Sequence, residues 1–144
     1  MEEKRYLLKH TDEIITPCLI YYKDIIEQNI KEMISVAGNA NRLWPHVKSH
    51  KMKKLVELQI KMGITRFKCA TIAEAQMVAE SGASDALVAY PLVGPNIDRF
   101  LELVKTYAGT RFWAIGDDLE QVSLLNSAAG SQETIVNFLA DVNM

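Results

Sequence analysis

Long apolar runs are missing from this sequence, and no segment is long enough to span a bilayer. Cysteine is scarce. Cys18 and Cys69 are the only two in 144 residues, and their separation fits no zinc or redox spacing. Each sits in a strand-like run, so both are expected as reduced core residues of a cytoplasmic protein. An excess of one charge is also absent: 16 Lys and Arg face 18 Asp and Glu, for a net charge of -2. Neither nucleic acid nor a membrane surface is therefore an expected partner. The charged start, Met1-Glu2-Glu3-Lys4-Arg5, is not followed by a signal-type apolar region. A glycine-rich phosphate loop is lacking, and Gly94-Pro95-Asn96 reads simply as a loop. None of the three histidines belongs to a ligand cluster, so no metal site is expected. No linker or low-complexity stretch divides the chain. What remains is 49% hydrophobic and 24% charged, enough for one soluble domain with a real core.

Strand and helix patterns alternate along that domain. Pro17 to Tyr22 reads as a first strand. A helix from about Asp24 places Ile26, Ile30, Met33, Ile34 and Ala37 on one face and ends at Gly38-Asn39. Arg42 to Val47 reads as a second strand, interrupted by Pro45. A helix carrying Met52, Leu55, Val56 and Met62 stops at Gly63. Strands are predicted over Ile64–Ala70, Ala86–Tyr90, Arg111–Ile115 and Thr134–Ala140. Helices lie between them. Thr71-Ile72-Ala73-Glu74 has capping-box spacing, which Asp117-Asp118-Leu119-Glu120 repeats. Strict βα alternation implies parallel strands with helical crossovers. A doubly wound sheet and part of a (β/α)8 barrel both fit that pattern. The second is favoured, because the sequence stops just after a strand with no helix to cover it.

Chemistry in either architecture gathers at the C-terminal ends of the strands. One run stands out there: Trp44-Pro45-His46-Val47-Lys48-Ser49-His50-Lys51. Strands disfavour lysine, yet Lys48 ends one, and the period of two puts His46, Lys48 and His50 on one face. A desolvated lysine becomes a neutral amine and a nucleophile toward aldehydes. The two histidines would lower its pKa, stack on a ring or carry protons. A solvated basic turn is the competing reading, and Lys51, Lys53 and Lys54 look like such a polar face. Trp44 shares the face of Lys48 at a deeper level, as barrel filler. Glu74 lies just past a strand end, where capping is the simpler role and the mouth of a site the other. Arg42 starts its strand at the wrong end for catalysis. Tyr22, Tyr90, Asp141 and Asn143 end strands, and His10 is expected on the surface.

Pro45-His46-Val47-Lys48-Ser49-His50-Lys51 closely resembles the Pro-His-x-Lys-Thr-His-Lys signature of the D-threonine aldolase and D-serine dehydratase family. Thr16 to Tyr22 with Glu27-Gln28-Asn29-Ile30, Thr71 to Ala75 with Gly82, and Ala86 to Pro91 resemble further family segments in the right order. The resemblance implies a fold-type III pyridoxal-phosphate enzyme with an alanine-racemase-like barrel. Residues 1–40 would form an N-terminal arm of strand plus helix. Residues 41–144 would hold about five of eight barrel strands, without the later strands and β-domain. Lys48 would be the lysine that holds the cofactor, with His46, His50 and Glu74 near it. The expected reaction is cleavage of a D-3-hydroxy amino acid to glycine and an aldehyde. D-serine dehydration, racemisation and an inactive fragment or binding domain are the alternatives. A homodimer stays open, and a divalent metal in relatives would take ligands outside this chain.

Overall fold

The computed structural model describes residues 6–142. Helix α1 spans Lys23–Ala37, α2 Lys53–Lys61, α3 Ile72–Glu80, α4 Asn96–Thr106 and α5 Leu119–Ser131. Strands β1 Arg66–Cys69, β2 Asp85–Val88, β3 Arg111–Gly116 and β4 Asn137–Ala140 form one parallel sheet in the order β1-β2-β3-β4. Each strand thus lies beside its successor, with a helix in every crossover. Because such crossovers share one hand, sequential order puts all the helices on one face. That is the pattern of a (β/α) barrel wall and not of a doubly wound sheet, where the order reverses.

The two faces of the sheet follow from the period of two. Phe67, Cys69, Ala86, Val88, Phe112 and Ala114 point toward the helices and join one buried core with Ala75, Val78, Phe100, Leu101 and Leu125. Phe100 and Phe112 meet edge to face at 6.2 Å. Burying an aromatic of this kind contributes roughly 1.5–3 kcal/mol. The opposite face is the one a closed barrel would enclose. Lys68, Leu87, Trp113 and Asn137 form one row across it, and Arg66, Asp85 and Arg111 another, nearer the N-terminal ends.

Turn chemistry explains the helix limits. Gly38 takes a left-handed φ of 78° after α1, where Arg42 Nη1 also donates to the Ala37 carbonyl at 2.9 Å. Arg42 is therefore a cap in a short 3-10 turn, Ala40–Arg42, and starts no strand. Thr71 accepts from the Glu74 N–H at the start of α3, as its spacing predicts. At α5 the capping residue is Asp118, bonded to the Gln121 N–H at 2.8 Å, one position later than the sequence pattern suggests.

Two predicted strands are absent. Pro17–Tyr22 is irregular, with Leu19 and Ile20 exposed, because among the described residues no neighbouring strand pairs with it. Cys18 is consequently exposed, not a core residue, whereas Cys69 is fully buried; both are free thiols. Arg42–Val47 reaches the sheet only at its end. Lys68 N–H donates to the Pro45 carbonyl at 2.9 Å, and His46 makes a single parallel bridge to Lys68. Proline has no N–H to extend a ladder, and the chain turns immediately after His46. Among the described residues, four strands and one bridge thus stand where five barrel strands are expected. Asn143 lies outside the described residues, Asp141 is exposed, and His10 is exposed as predicted.

Candidate active site

The lysine turn is built from its own side chains. Val47 is fully buried on the helix side and anchors the segment. Residues Val47–Ser49 then form a 3-10 turn. His46 Nδ1 accepts the Lys48 N–H at 3.2 Å. The Val47 carbonyl accepts from His50 N–H at 3.2 Å and Lys51 N–H at 2.8 Å, with Lys51 in a left-handed conformation at φ 47°. His50 Nδ1 accepts the Met52 N–H at 3.1 Å, just before α2 begins. Each histidine thus caps the backbone two residues ahead. This overturns the picture of three side chains on one strand face, since a 3-10 turn breaks the period of two. It keeps the location: parallel pairing of His46 with Lys68, near the end of β1, carries Lys48 to the C-terminal rim of the sheet.

The turn leaves Lys48 exposed, so these residues do not supply the burial that a strand-end pocket would give. Among the described residues, its amine has no ion-pair or hydrogen-bond partner. Its neighbours in sequence are engaged. Lys51 pairs with Glu74 at 3.5 Å, Lys53 with Glu80 at 3.4 Å and Lys54 with Glu57 at 3.1 Å. Lys51 is therefore not part of a plain solvated helix face. Its partner Glu74 is only 5% exposed. Glu74 Oε2 accepts the Ala70 N–H at 2.7 Å, one residue earlier than a capping box requires.

Electrostatics tie the group together. Burial, with the nearby Lys48 and Lys68 charges, lowers the His46 pKa, and Glu74 opposes the shift. Burial likewise lowers that of His50 against Glu74. An imidazole whose Nδ1 accepts an N–H is neutral and carries its proton on Nε2. Both histidines are thus Nε2–H donors. Burial and then Glu74 push the Cys69 thiol up to about 12, leaving an inert core group.

The remaining candidates divide. Trp44 lies on the barrel-facing side as expected, edge to face with Trp113 at 6.2 Å and beneath the Arg66 guanidinium at 5.1 Å. Tyr22 is occupied elsewhere: its hydroxyl donates to the Tyr6 carbonyl at 2.9 Å. Tyr90 is exposed and lines a cavity of about 400 Å³ with Ala70, Thr71, Val88, Asn96 and Arg99, at the ends of β1 and β2. Lys68 escaped the sequence reading. Its alternation with buried Phe67 and Cys69 was the available signal, since that pattern sends a lysine to the enclosed face. Among the described residues no group of three His, Cys, Asp or Glu is placed to hold a metal ion, and no helix is long and apolar enough to cross a membrane.

These observations define a parallel (β/α) barrel wall with an unpaired lysine and two neutral histidines at its C-terminal rim, the end where barrels place their chemistry. Comparison with known proteins narrows this to a family. The family described as alanine racemase, N-terminal domain, matches residues 23–144, and the chain belongs to that family. It is 32% identical over 134 residues to 3-hydroxy-D-aspartate aldolase of Paracoccus denitrificans (strain Pd 1222), covering 91% of this chain and 34% of that protein. The crystal structure of D-threonine aldolase from Filomicrobium marinum superposes with a TM-score of 0.80 at 27% identity, over 90% of this chain and 35% of that one. The chain thus spans about a third of the length of these relatives.

Proposed function

We propose that this chain is part of a pyridoxal-phosphate-dependent lyase that cleaves D-3-hydroxy amino acids to glycine and an aldehyde. The observation that carries the reading is the unpaired amine of Lys48 at the barrel rim, whereas Lys51, Lys53 and Lys54 in the same run each pair with a glutamate. The names of the two aldolase relatives support the reaction class and favour it over dehydration or racemisation.

The residues present fit one end of the cofactor. Lys48 offers a free amine to its aldehyde, and His46 and His50 offer Nε2–H donors to anionic oxygens. Lys68 and Lys51 add positive charge beside them. Pyridoxal phosphate, when bound, supplies a sink for the electrons released as a bond at the amino-acid Cα breaks. The chain's own part is to hold and present. His46 fixes the turn that projects Lys48. Because Nε2 already bears the proton, neither histidine in this state takes a proton there; both donate. Glu74 joins the site through its contact with Lys51. Any metal would take its ligands from outside these residues. The two unpaired cysteines agree with a cytoplasmic setting.

Incubation with pyridoxal phosphate, borohydride reduction and peptide mapping test the assignment. A reduced adduct on Lys48 that Lys48→Ala abolishes is the expected result. Modification spread over exposed lysines, or none, overturns it. Glycine and acetaldehyde from D-threonine, against pyruvate and ammonia from D-serine, separate aldolase from dehydratase in the whole protein.

A further inference from the structure

We infer that Glu74 is a positioning residue, whose buried carboxylate grips Lys51 and so clamps the Lys48 turn onto the end of β1 and the start of α3. The inference rests on the reading of Lys48 as the reactive amine. Four contacts define the clamp. Glu74 N–H donates to Thr71 Oγ1 at 3.2 Å, which fixes the residue at the first turn of α3. Its Oε2 accepts from Ala70 N–H at 2.7 Å, which ties it to the segment leaving β1. Its Oε1 accepts no hydrogen bond and faces Lys51 Nζ at 3.5 Å. Lys51 N–H in turn closes the turn on the Val47 carbonyl at 2.8 Å. Lys51 also sits in a left-handed conformation that a residue with a Cβ rarely adopts without support. A carboxylate that is 95% removed from solvent needs a cation, and the exposed Lys51 stem supplies one while remaining hydrated. This ion pair adds a side-chain tie between the turn and the start of α3 to the backbone bond and bridge that already join Pro45 and His46 to Lys68 of β1.

Glu74→Gln isolates the ionic limb, because its amide oxygen still accepts the Ala70 N–H. Lys51→Met removes the cation, and Lys51→Arg preserves it. Hydrogen exchange on the 144-residue chain should show the His50 and Lys51 amides opening on the order of tenfold faster in Glu74→Gln and Lys51→Met, with Lys51→Arg near wild type and the β3–β4 amides unchanged. Imidazole titration by NMR should show His46 and His50 moving to lower pH in Glu74→Gln, since Glu74 raises both. The titrations report the Glu74 charge and the exchange reports the turn, so faster exchange that Lys51→Met reproduces and Lys51→Arg does not is the signature of the clamp. Unchanged exchange in Glu74→Gln overturns the clamp, even if Lys48 forms its adduct. The predicted changes without any wild-type adduct on Lys48 would leave the clamp standing and sink the role given to Lys48.

Discussion

Two buried carboxylates sit at opposite ends of the same sheet, and they are treated differently. Asp85 opens β2 at the N-terminal end and is fully buried. Arg111 binds it with two nitrogens, at 2.9 and 3.0 Å; Trp113 Nε1 and Ser84 Oγ each add a bond at 2.9 Å. Glu74, at the C-terminal end, has one oxygen without a hydrogen bond and one exposed lysine for a partner. One end is saturated and the other leaves capacity unspent, with Glu74 reaching the turn of the unpaired Lys48 only through Lys51. In barrels the first end serves stability and the second serves chemistry. The difference shows that burial of charge alone does not single out the end proposed for chemistry; a buried carboxylate left partly unsatisfied does.

The largest effect expected from breaking this contrast is at the saturated end. Asp85→Ala should cost about 3 kcal/mol in chemical denaturation, since it removes charge-assisted bonds and strands Trp113 Nε1–H. The Lys48 adduct should survive under native conditions; its loss would show that the two ends are not separable. The same carboxylate governs acid stability. Burial would raise the Asp85 pKa, but the bonds from Arg111, Trp113 and Ser84 outweigh it and hold it below the usual range. Its folded value lies under the unfolded value of about 3.9, so its contribution is present above that pH and lost as pH falls through the folded value.

A smaller effect is expected at the rim. His46→Ala removes the acceptor of the Lys48 N–H and should cost about 1 kcal/mol, as for loss of a cap. The histidines also give a milder pH dependence of their own. Their folded pKa values are depressed, so the folded state binds fewer protons, and stability declines as pH falls below about 6.5 toward those values. Wild-type stability should therefore fall in two stages on acidification, the upper one reduced in His46→Ala and the lower one in Asp85→Ala. A single stage insensitive to both would break the comparison.

The smallest effect on stability is expected at Lys48, the residue proposed to carry the chemistry. Lys48→Ala should change the unfolding free energy by less than about 0.5 kcal/mol, because the side chain is exposed and unpaired, while the adduct disappears. A Lys48→Ala variant that unfolds readily would mean the lysine is structural.

Much of this fold was legible along the chain. The five helices announce themselves by apolar periodicity, and Thr71, Gly38, Gly63 and Gly82 mark their limits. The four paired strands lie within or at one residue of their predicted spans. The failures share a cause. Pro17–Tyr22 and Arg42–Val47 have strand-like composition, but a strand exists only where a neighbour accepts its backbone bonds. Pro17–Tyr22 has no such neighbour, and Arg42–Val47 finds one only at Pro45 and His46. The lysine motif was readable because its residue types are unusual for a strand end. Part of what the histidines do was not: each spends Nδ1 on backbone two residues ahead, a use that depends on the 3-10 turn the sequence pattern did not reveal.

Residues a few positions apart suffice to set the alternation of strand and helix, the apolar faces and the position of Lys48 between a strand-like segment and a helix. Folding in three dimensions was needed to put the helices of sequential strands on one face, to saturate Asp85 with residues 26 and 28 positions away, and to bring Glu74 across to Lys51. Those contacts join distant parts of the chain, and their strength depends on burial, which no local pattern contains.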